Sequence, residues 1–408
     1  MTDSTANPAA MNEHAQARRN ALTLSASAAI SGSAPPIAIT LGGLAGLYLL
    51  GTDKSLATLP VSGFNLGVAL SAIPAAMLMR AVGRRLGFMI GAVSGIVGGI
   101  VAGLAVIYGA FPGLVAGFLL VGGAAAFAQQ YRFAAADSGD SAFRARAISW
   151  VMIGGIAAAI IGPQTVIHTR DLLAPIPFAG AFFAISVLSA ISLLVVSTLS
   201  GQARLAPPRA SHQGGRTLGE IARQPRFIIA VTCGIGSYAL MSLVMTAAPL
   251  AMVACGLGED NAALGIQWHV LAMFGPSFVT GTLIARYGVD LIVAIGMALL
   301  AGCGIAALTG IDLANFWGAL ILLGLGWNFG FIGATTMLTE TYRPEERGKV
   351  QGLNDFLIFG SVAAASFASG SLFTSVGWNW INYLIFPVVA ICLIALGAGA
   401  ILRRRARA

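Results

Sequence analysis

Runs of about 20 apolar residues recur along almost the whole length of this 408-residue sequence, separated by short polar segments. A helix of that length crosses the hydrocarbon core of a bilayer, which is about 30 Å thick. Only 9% of the residues are charged, whereas a soluble domain carries roughly a quarter. The 52 glycines agree with this, because small residues let membrane helices approach closely. The sequence therefore predicts an all-α protein whose surroundings are the lipid bilayer.

The apolar runs divide into twelve predicted transmembrane helices. We place six near residues 22–50, 56–79, 88–109, 113–137, 147–169 and 177–198, and six near 227–254, 262–284, 291–310, 313–338, 349–374 and 379–402. The polar, basic segment 199–226 predicts a linker between two six-helix bundles, 22–198 and 227–402, with tails at 1–21 and 403–408. Within the linker, Thr217 and Glu220 have capping-box spacing, which predicts a short helix near 218–223.

The positions of the charged residues predict the orientation of the chain. When both termini are placed in the cytoplasm, Lys54 and Arg170 are the two of the 23 Lys and Arg residues that fall outside. Positive residues are retained on the cytoplasmic side of membranes. The distribution therefore predicts a multi-pass protein of the cell inner membrane with both termini cytoplasmic. It also explains the net charge of +8 without a nucleic-acid partner.

The two halves repeat each other at an offset of 203 residues. The loop "MRAVGRRLGF" after the second helix has a partner, "IARYGVDLIV", after the eighth, and three pairs of charged positions coincide: Asp137 with Glu340, Arg144 with Arg347, and Arg146 with Lys349. Six crossings return the chain to the side of the membrane on which it started, so the two halves have the same orientation. Parallel repeats around a central site are a transporter architecture.

From about residue 20 to 405 the chain resembles the major facilitator superfamily. The resemblance rests on the 6+6 spans, the long central linker and the basic loop Gly83-Arg84-Arg85-Leu86-Gly87. That loop lacks the family's aspartate, whose position is taken by Met79 or Arg80, and Gly162-Pro163 lacks the glycine pair of the antiporter motif. The resemblance implies secondary transport by alternating access in a functional monomer. It also implies a central cavity lined by helices 1, 2, 4, 5, 7, 8, 10 and 11.

Polar residues in the predicted fourth helix mark one wall of this cavity. In "AFAQQYRFAAAD", Gln129 and Arg132 are three residues apart, so they share a helix face. A charge at membrane depth needs a favourable environment, and three alternatives stay open for Arg132. It contacts substrate, it pairs with Asp137 or a neighbouring helix, or its side chain extends to the cytoplasm. In the second helix, Asn65 is a further candidate substrate contact.

The opposite wall is predicted from helices seven, eight and ten. The candidate substrate contacts there are Tyr238, Trp268, His269, Trp327 and Asn328. An aromatic ring beside an amide suits an organic ligand, since the ring stacks and the amide fixes orientation. Two alternatives stay open: His269 couples transport to protons or is a hydrogen-bonded structural group, and Trp327 binds substrate or packs in the bundle core.

Asp355 lies about two turns into the eleventh helix. In the superfamily, the loop after helix two packs on helix eleven when the cytoplasmic side closes. We therefore expect Asp355 to pair with Arg80, Arg84 or Arg85 as a gate latch that replaces the missing loop aspartate. The rival hypothesis is that Asp355 itself carries a proton.

The predicted lining contains no central carboxylate, which favours a neutral or weakly anionic organic substrate over a cation. The segments "YRFAAAD" and "RARAISW" resemble a small bacterial branch of the superfamily associated with riboflavin uptake. Efflux of drug-like compounds by proton antiport is the alternative, and a non-transporting membrane receptor is the alternative from another class. The HExxH and GxSxG motifs are missing, and Cys233, Cys255, Cys303 and Cys392 lack metal-ligand spacing. We therefore expect no enzyme, cofactor or metal.

Overall fold

A computed structural model of the chain describes residues 8–136, 141–200 and 215–405. These ranges are helical and contain no β-strand. The predictions for Asp137 and for most of the linker lie outside the described residues. The first half consists of α1 (Pro8–Ser31), α2 (Ala34–Leu49), α3 (Leu59–Val82), α4 (Arg84–Ile107), α5 (Phe111–Ala128), α6 (Tyr131–Ala136), α7 (Ser141–Thr169) and α8 (Ala179–Ser197). After α9 (Leu218–Ala222) follow α10 (Pro225–Ala254), α11 (Gly258–Phe274), α12 (Ser277–Tyr287), α13 (Val289–Leu308), α14 (Leu313–Thr339), α15 (Arg347–Tyr383) and α16 (Ile385–Arg405).

The described residues contain ten helical stretches that are long and apolar enough to cross a membrane, or eleven when α11 and α12 count as one bent span. The longest stretch, Lys349–Arg403, has 55 residues and would extend about 80 Å if it were straight. It folds back at Gly377, whose φ of 82° is non-helical. Arg403 therefore returns to Asp290 at the start of α13. Counting its two arms separately gives the twelve predicted crossings.

Three of the predicted helices are interrupted. α1 and α2 meet before Pro35 and Pro36, and α11 and α12 are bent by 41° at Gly275-Pro276. Proline causes both breaks, because it has no backbone N–H to continue the helix. The fourth predicted helix, 113–137, corresponds to one apolar span, Phe111–Ala135, in which a turn separates α5, ending at Ala128, from α6, beginning at Tyr131. The first helix begins at Pro8 rather than near residue 22.

The break in the fourth helix has no proline. At this point the N–H of Gln130 donates to the carbonyl of Phe127, three residues back, at 3.0 Å. The chain then re-forms a helix because Tyr131 is buried edge-on against Phe88, with ring centroids 4.8 Å apart. The glutamine pair therefore lies at a turn within the span.

The internal repeat is visible in the backbone. Gly83 ends α3 and begins α4 with φ 89° and ψ 158°, and Gly288 joins α12 to α13 with φ 85° and ψ 150°. Residues other than glycine rarely adopt this backbone conformation. The two loops therefore match in geometry close to the predicted offset.

The end of the linker is fixed by side-chain contacts. The predicted capping box of α9 is confirmed, because Glu220 N donates to Thr217 Oγ1 and Thr217 N donates to Glu220 Oε2. Arg216 donates from Nη2 to Glu346 Oε2 at 2.8 Å, in the turn before α15. This hydrogen bond, with one from the backbone of Arg343, lowers the pKa of the Glu346 carboxyl to about 2.

Two faces of the molecule are useful for describing the site. We call the face that carries residues 200 and 215, next to the linker, the linker face. We call the opposite face, with the loops 50–58, 170–178, 255–257 and 309–312, the far face. Each crossing runs from one face to the other.

Candidate functional site

Near the far face, the two halves are joined by hydrogen bonds between α3 and α15. The hydroxyl of Thr58 donates to the carbonyl of Ser366 at 3.2 Å and accepts from the N–H of Gly370 at 3.1 Å. The hydroxyl oxygens of Ser62 and Ser366 are 3.5 Å apart. A Cβ added to Gly370 would collide with Thr58. The glycine therefore permits this close approach.

A second contact on the far-face side joins α7 to α11. Arg170 Nη1 lies 2.9 Å from Asp260 Oδ1 and 3.3 Å from Glu259 Oε2. Deeper in the molecule, Gln164 Nε2 donates to Gln267 Oε1 at 3.2 Å. With the α3–α15 contact, these bonds close the space between the halves toward the far face.

Toward the linker face, the facing ends of the two halves are exposed. Gln129 and Arg132 of the first half and Asp355 of the second half are exposed. From this exposure and the contacts near the far face, we infer a cavity between the halves that opens toward the linker face.

Five aromatic side chains from four helices of the second half are clustered beside this cavity, and we call them the aromatic wall: Tyr238, Phe274, Trp327, Phe331 and Phe359. The Tyr238 ring centroid lies 4.9 Å from Phe331, 5.4 Å from Trp327 and 5.9 Å from Phe359. Trp327 stacks on Phe331 at 5.2 Å and contacts Phe274 edge-on at 6.0 Å. Four of the rings are half-buried, whereas Trp327 is 6% exposed and supports the wall from behind.

Sequence reasoning found Tyr238 and Trp327 but missed the other three members of the wall. Trp327 and Phe331 are four residues apart on α14, and the structure stacks them, as this spacing allows. The four-residue spacing from Trp327 could therefore have predicted Phe331 from the sequence. Phe274 and Phe359 are each the only member of the wall on their helix. No partner at helical spacing within the wall therefore points to them from the sequence.

Arg132 faces the aromatic wall from the first half. Its guanidinium lies 4.8 Å from the ring centroid of the neighbouring Phe133. It also interacts electrostatically with Tyr238 on α10 and with Asp355 on α15. Arg132 therefore lies near the second half. The three environments predicted from the sequence, which are a substrate contact, a pair with Asp137 or a neighbouring helix, and extension to the cytoplasm, stay predictions.

Asp355 lies on the same side of α15 as the aromatic wall. It precedes Phe359 by four residues, so the two side chains share a helix face. Its oxygen Oδ1 accepts a hydrogen bond from Asn354 Nδ2 at 3.3 Å. The expected latch is not formed in this conformation, in which the linker side is open. Arg84 donates to the carbonyl of Ala134 at 3.4 Å, and Arg80 and Arg85 are exposed.

Asn328 is a structural residue, which corrects its prediction as a substrate contact. It is fully buried, and its amide nitrogen donates to the Met273 carbonyl at 2.6 Å and to the Ser277 hydroxyl at 2.7 Å. Its amide oxygen accepts from Thr280 Oγ1 at 2.6 Å. The interruption at Pro276 leaves carbonyls without helical partners. Asn328 therefore holds α11 and α12 together at their bend.

His269 is likewise buried away from the cavity. It is 0% exposed, and its ring nitrogen Nδ1 is 2.8 Å from the carbonyl oxygen of Leu320 on α14. This corrects the prediction of a substrate contact and favours the structural alternative over proton coupling in this conformation. A side chain enclosed between two helices of one bundle reaches neither substrate nor bulk water.

Asn65 and Trp268 are not joined to the aromatic wall. Asn65 is half-buried on α3, and Trp268 is 42% exposed on α11. Within the described part of the chain, neither side chain makes a hydrogen bond or a ring contact.

Replacing Asn328 with leucine is expected to destabilise the protein by about 2–4 kcal/mol, because the Met273 carbonyl and the Ser277 hydroxyl would lose a buried partner. The measurement is the thermal unfolding temperature in detergent, with Asn65→Leu as the matched control. Normal unfolding with loss of substrate binding would instead support the original prediction of a substrate contact.

Comparison with known proteins gives consistent matches. The sequence model of the Major Facilitator Superfamily matches residues 20–366 and 277–408. The chain is 52% identical over 386 residues to the riboflavin transporter RfnT of Brucella anthropi, covering 95% of this chain and 97% of the relative. It is 29% identical to YddS, an uncharacterised MFS-type transporter of Bacillus subtilis, covering 86% of this chain and 85% of the relative. Its fold is similar to the crystal structure of a mutant of the nucleoside transporter NupG, with a TM-score of 0.70 at 14% identity, over 93% of this chain and 98% of that one.

Proposed function

Because the chain belongs to the major facilitator superfamily and is a secondary transporter rather than an enzyme, we propose that it carries riboflavin into the cell by alternating access. The observation that carries this proposal is the aromatic wall, which faces polar side chains across a cavity that is open on one side. The relative that is 52% identical over nearly the full length is a riboflavin transporter. The wall is a surface suited to such a molecule.

The chemistry of riboflavin fits this arrangement. Its ring system is planar, aromatic and uncharged, so it can stack on half-buried rings such as Tyr238. Its carbonyl oxygens and ring nitrogens accept hydrogen bonds, which the Arg132 guanidinium and the Gln129 amide donate. Trp327 completes the wall. Asn65 and Trp268 remain proposed contacts nearer the far face.

We propose that the linker face is cytoplasmic, with both termini on that side of the inner membrane. The support is that Lys54 and Arg170 lie on the far face, whereas the other arginines and lysines that the structure describes cluster toward the linker face. On this orientation, the described conformation is open to the cytoplasm, as an importer is after it has carried substrate inward. The proposed moving units are the bundles 22–198 and 227–402 within one monomer, joined by the linker.

The proposal is tested by uptake of labelled riboflavin in a riboflavin-requiring bacterial host that expresses the chain. Expression is expected to rescue growth at low riboflavin and to accumulate label. The same host with a vector that lacks the gene is the control. Normal membrane insertion without rescue or accumulation would reject riboflavin as the substrate and leave the family assignment intact.

For Asp355 we keep the latch as a proposal for the conformation in which the cytoplasmic side is closed, with Arg80, Arg84 or Arg85 as its partner. Asp355→Asn is then expected to lower the riboflavin transport rate several-fold while the dissociation constant changes little, because the latch stabilises a conformation rather than the bound substrate. Asp53→Asn is the control, since Asp53 is exposed on the far face and its carboxylate accepts a hydrogen bond from the N–H of Ser55. An unchanged transport rate in Asp355→Asn would refute the latch.

A further inference from the structure

Two side chains of opposite charge, Arg132 and Asp355, are exposed where the two halves face each other. Arg132 lies on α6 and Asp355 on α15, and they interact electrostatically. Their side chains form no salt bridge within the described residues. Each charge is therefore free to interact with a molecule in the cavity.

The linker face, onto which the cavity opens, carries more basic than acidic side chains among the described residues. Exposed arginines of the linker face include Arg80, Arg85, Arg286, Arg343 and Arg347. A surface of this charge raises the local concentration of anions by electrostatic attraction. Phosphorylated metabolites would therefore gather at the mouth unless the cavity rejected them.

We propose that Asp355 rejects phosphorylated flavins by balancing the charge of Arg132, so that the cavity accepts riboflavin in preference to flavin mononucleotide, its 5′-phosphate. This inference rests on the proposed function. The two molecules share the planar ring system and differ by a phosphate, which carries about −1.5 to −2 charges at neutral pH.

The position of Asp355 makes the discrimination possible. A ring system stacked on the aromatic wall has its attached chain within reach of neighbouring side chains, and Asp355 is one helical turn from Phe359 of that wall. A phosphate near Asp355 would be repelled in a partly desolvated space, where charge interactions are stronger than in water. Specificity commonly arises in this way, from an element that disfavours the wrong ligand. Without Asp355, the unbalanced Arg132 would attract the phosphate.

The test measures dissociation constants of riboflavin and flavin mononucleotide for the purified full-length chain in detergent, by quenching of flavin fluorescence. The variants are Asp355→Asn, Arg132→Gln, the double variant with both changes, and Asp355→Glu as the control that keeps the charge. The readout is the ratio of the two constants in each variant, which cancels any general loss of folded protein.

The ratio is expected to follow the charge of the site. Wild type and Asp355→Glu should prefer riboflavin. Asp355→Asn should shift the ratio about tenfold toward flavin mononucleotide, equivalent to about 1.4 kcal/mol. Arg132→Gln should shift it in the opposite direction, and the double variant should lie between the two single variants.

The outcomes separate the inference from the proposed function. If wild type binds riboflavin and the ratio is the same in all variants, Asp355 does not set charge selectivity and the inference is wrong. If wild type binds neither flavin, the substrate assignment fails and this inference fails with it. A shift in Asp355→Glu equal to that in Asp355→Asn would show that shape, not charge, decides.

Discussion

Replacing Tyr238 with alanine is expected to weaken riboflavin binding about 100-fold and to abolish uptake at low substrate concentration. Tyr238 contacts three other members of the aromatic wall, Trp327, Phe331 and Phe359. Stacking of a planar base on one aromatic side chain contributes about 1–3 kcal/mol. Loss of the ring also removes support from its three neighbours, so the upper end of that range applies. An effect of this size corresponds to about two powers of ten in the dissociation constant.

The controls separate the ring from the hydroxyl and from general effects. Tyr238→Phe keeps the stacking surface and is expected to lose only a few-fold in affinity, because one hydrogen bond contributes about 1 kcal/mol. Tyr287→Ala removes an exposed tyrosine at the end of α12 and is expected to bind as wild type does. Equal affinity in Tyr238→Ala and wild type would show that the aromatic wall does not hold the substrate.

The sequence predicted the spans and the repeat because both depend on patterns that act locally. A stretch of apolar residues crosses a bilayer whatever its neighbours are, and a glycine such as Gly83 or Gly288 fixes the same turn in each half. The breaks were harder to predict. Pro276 explains one of them, but the turn at Gln129 and Gln130 depends on the burial of Tyr131 against another helix.

The candidate site was predicted in part, because sequence shows which residues are polar but not what satisfies them. Arg132 is exposed toward the second half, whereas His269 and Asn328 are bound to backbone carbonyls of other helix segments. Every residue has a backbone carbonyl, so the sequence does not show which residue accepts these hydrogen bonds. The aromatic wall is hidden for a related reason: its rings come from four helices that only the fold brings together.

Linking the two halves at the far face is expected to stop transport reversibly. Ser62 of the first half and Ser366 of the second half are buried, with hydroxyl oxygens 3.5 Å apart. Their replacement by cysteine places two sulfurs close enough for a disulfide, whose geometry is short and specific. Cys255, which is the exposed native cysteine, would be changed to serine in the same chain. Oxidation is expected to reduce riboflavin uptake at least about tenfold, because the halves can no longer separate at the far face.

The chain offers a matched control for this cross-link. Thr246 and Ser366 also have hydroxyl oxygens 3.5 Å apart, but both belong to the second half. Oxidising a Thr246→Cys, Ser366→Cys variant forms a comparable link that does not join the moving units, so transport should continue. Reductant should restore uptake in the first variant, and the oxidised first variant in detergent should still bind riboflavin through its open linker side. Uptake that survives a complete Ser62–Ser366 cross-link would mean that the α3–α15 contact does not open during transport, and the alternating-access mechanism would then have to use a different route.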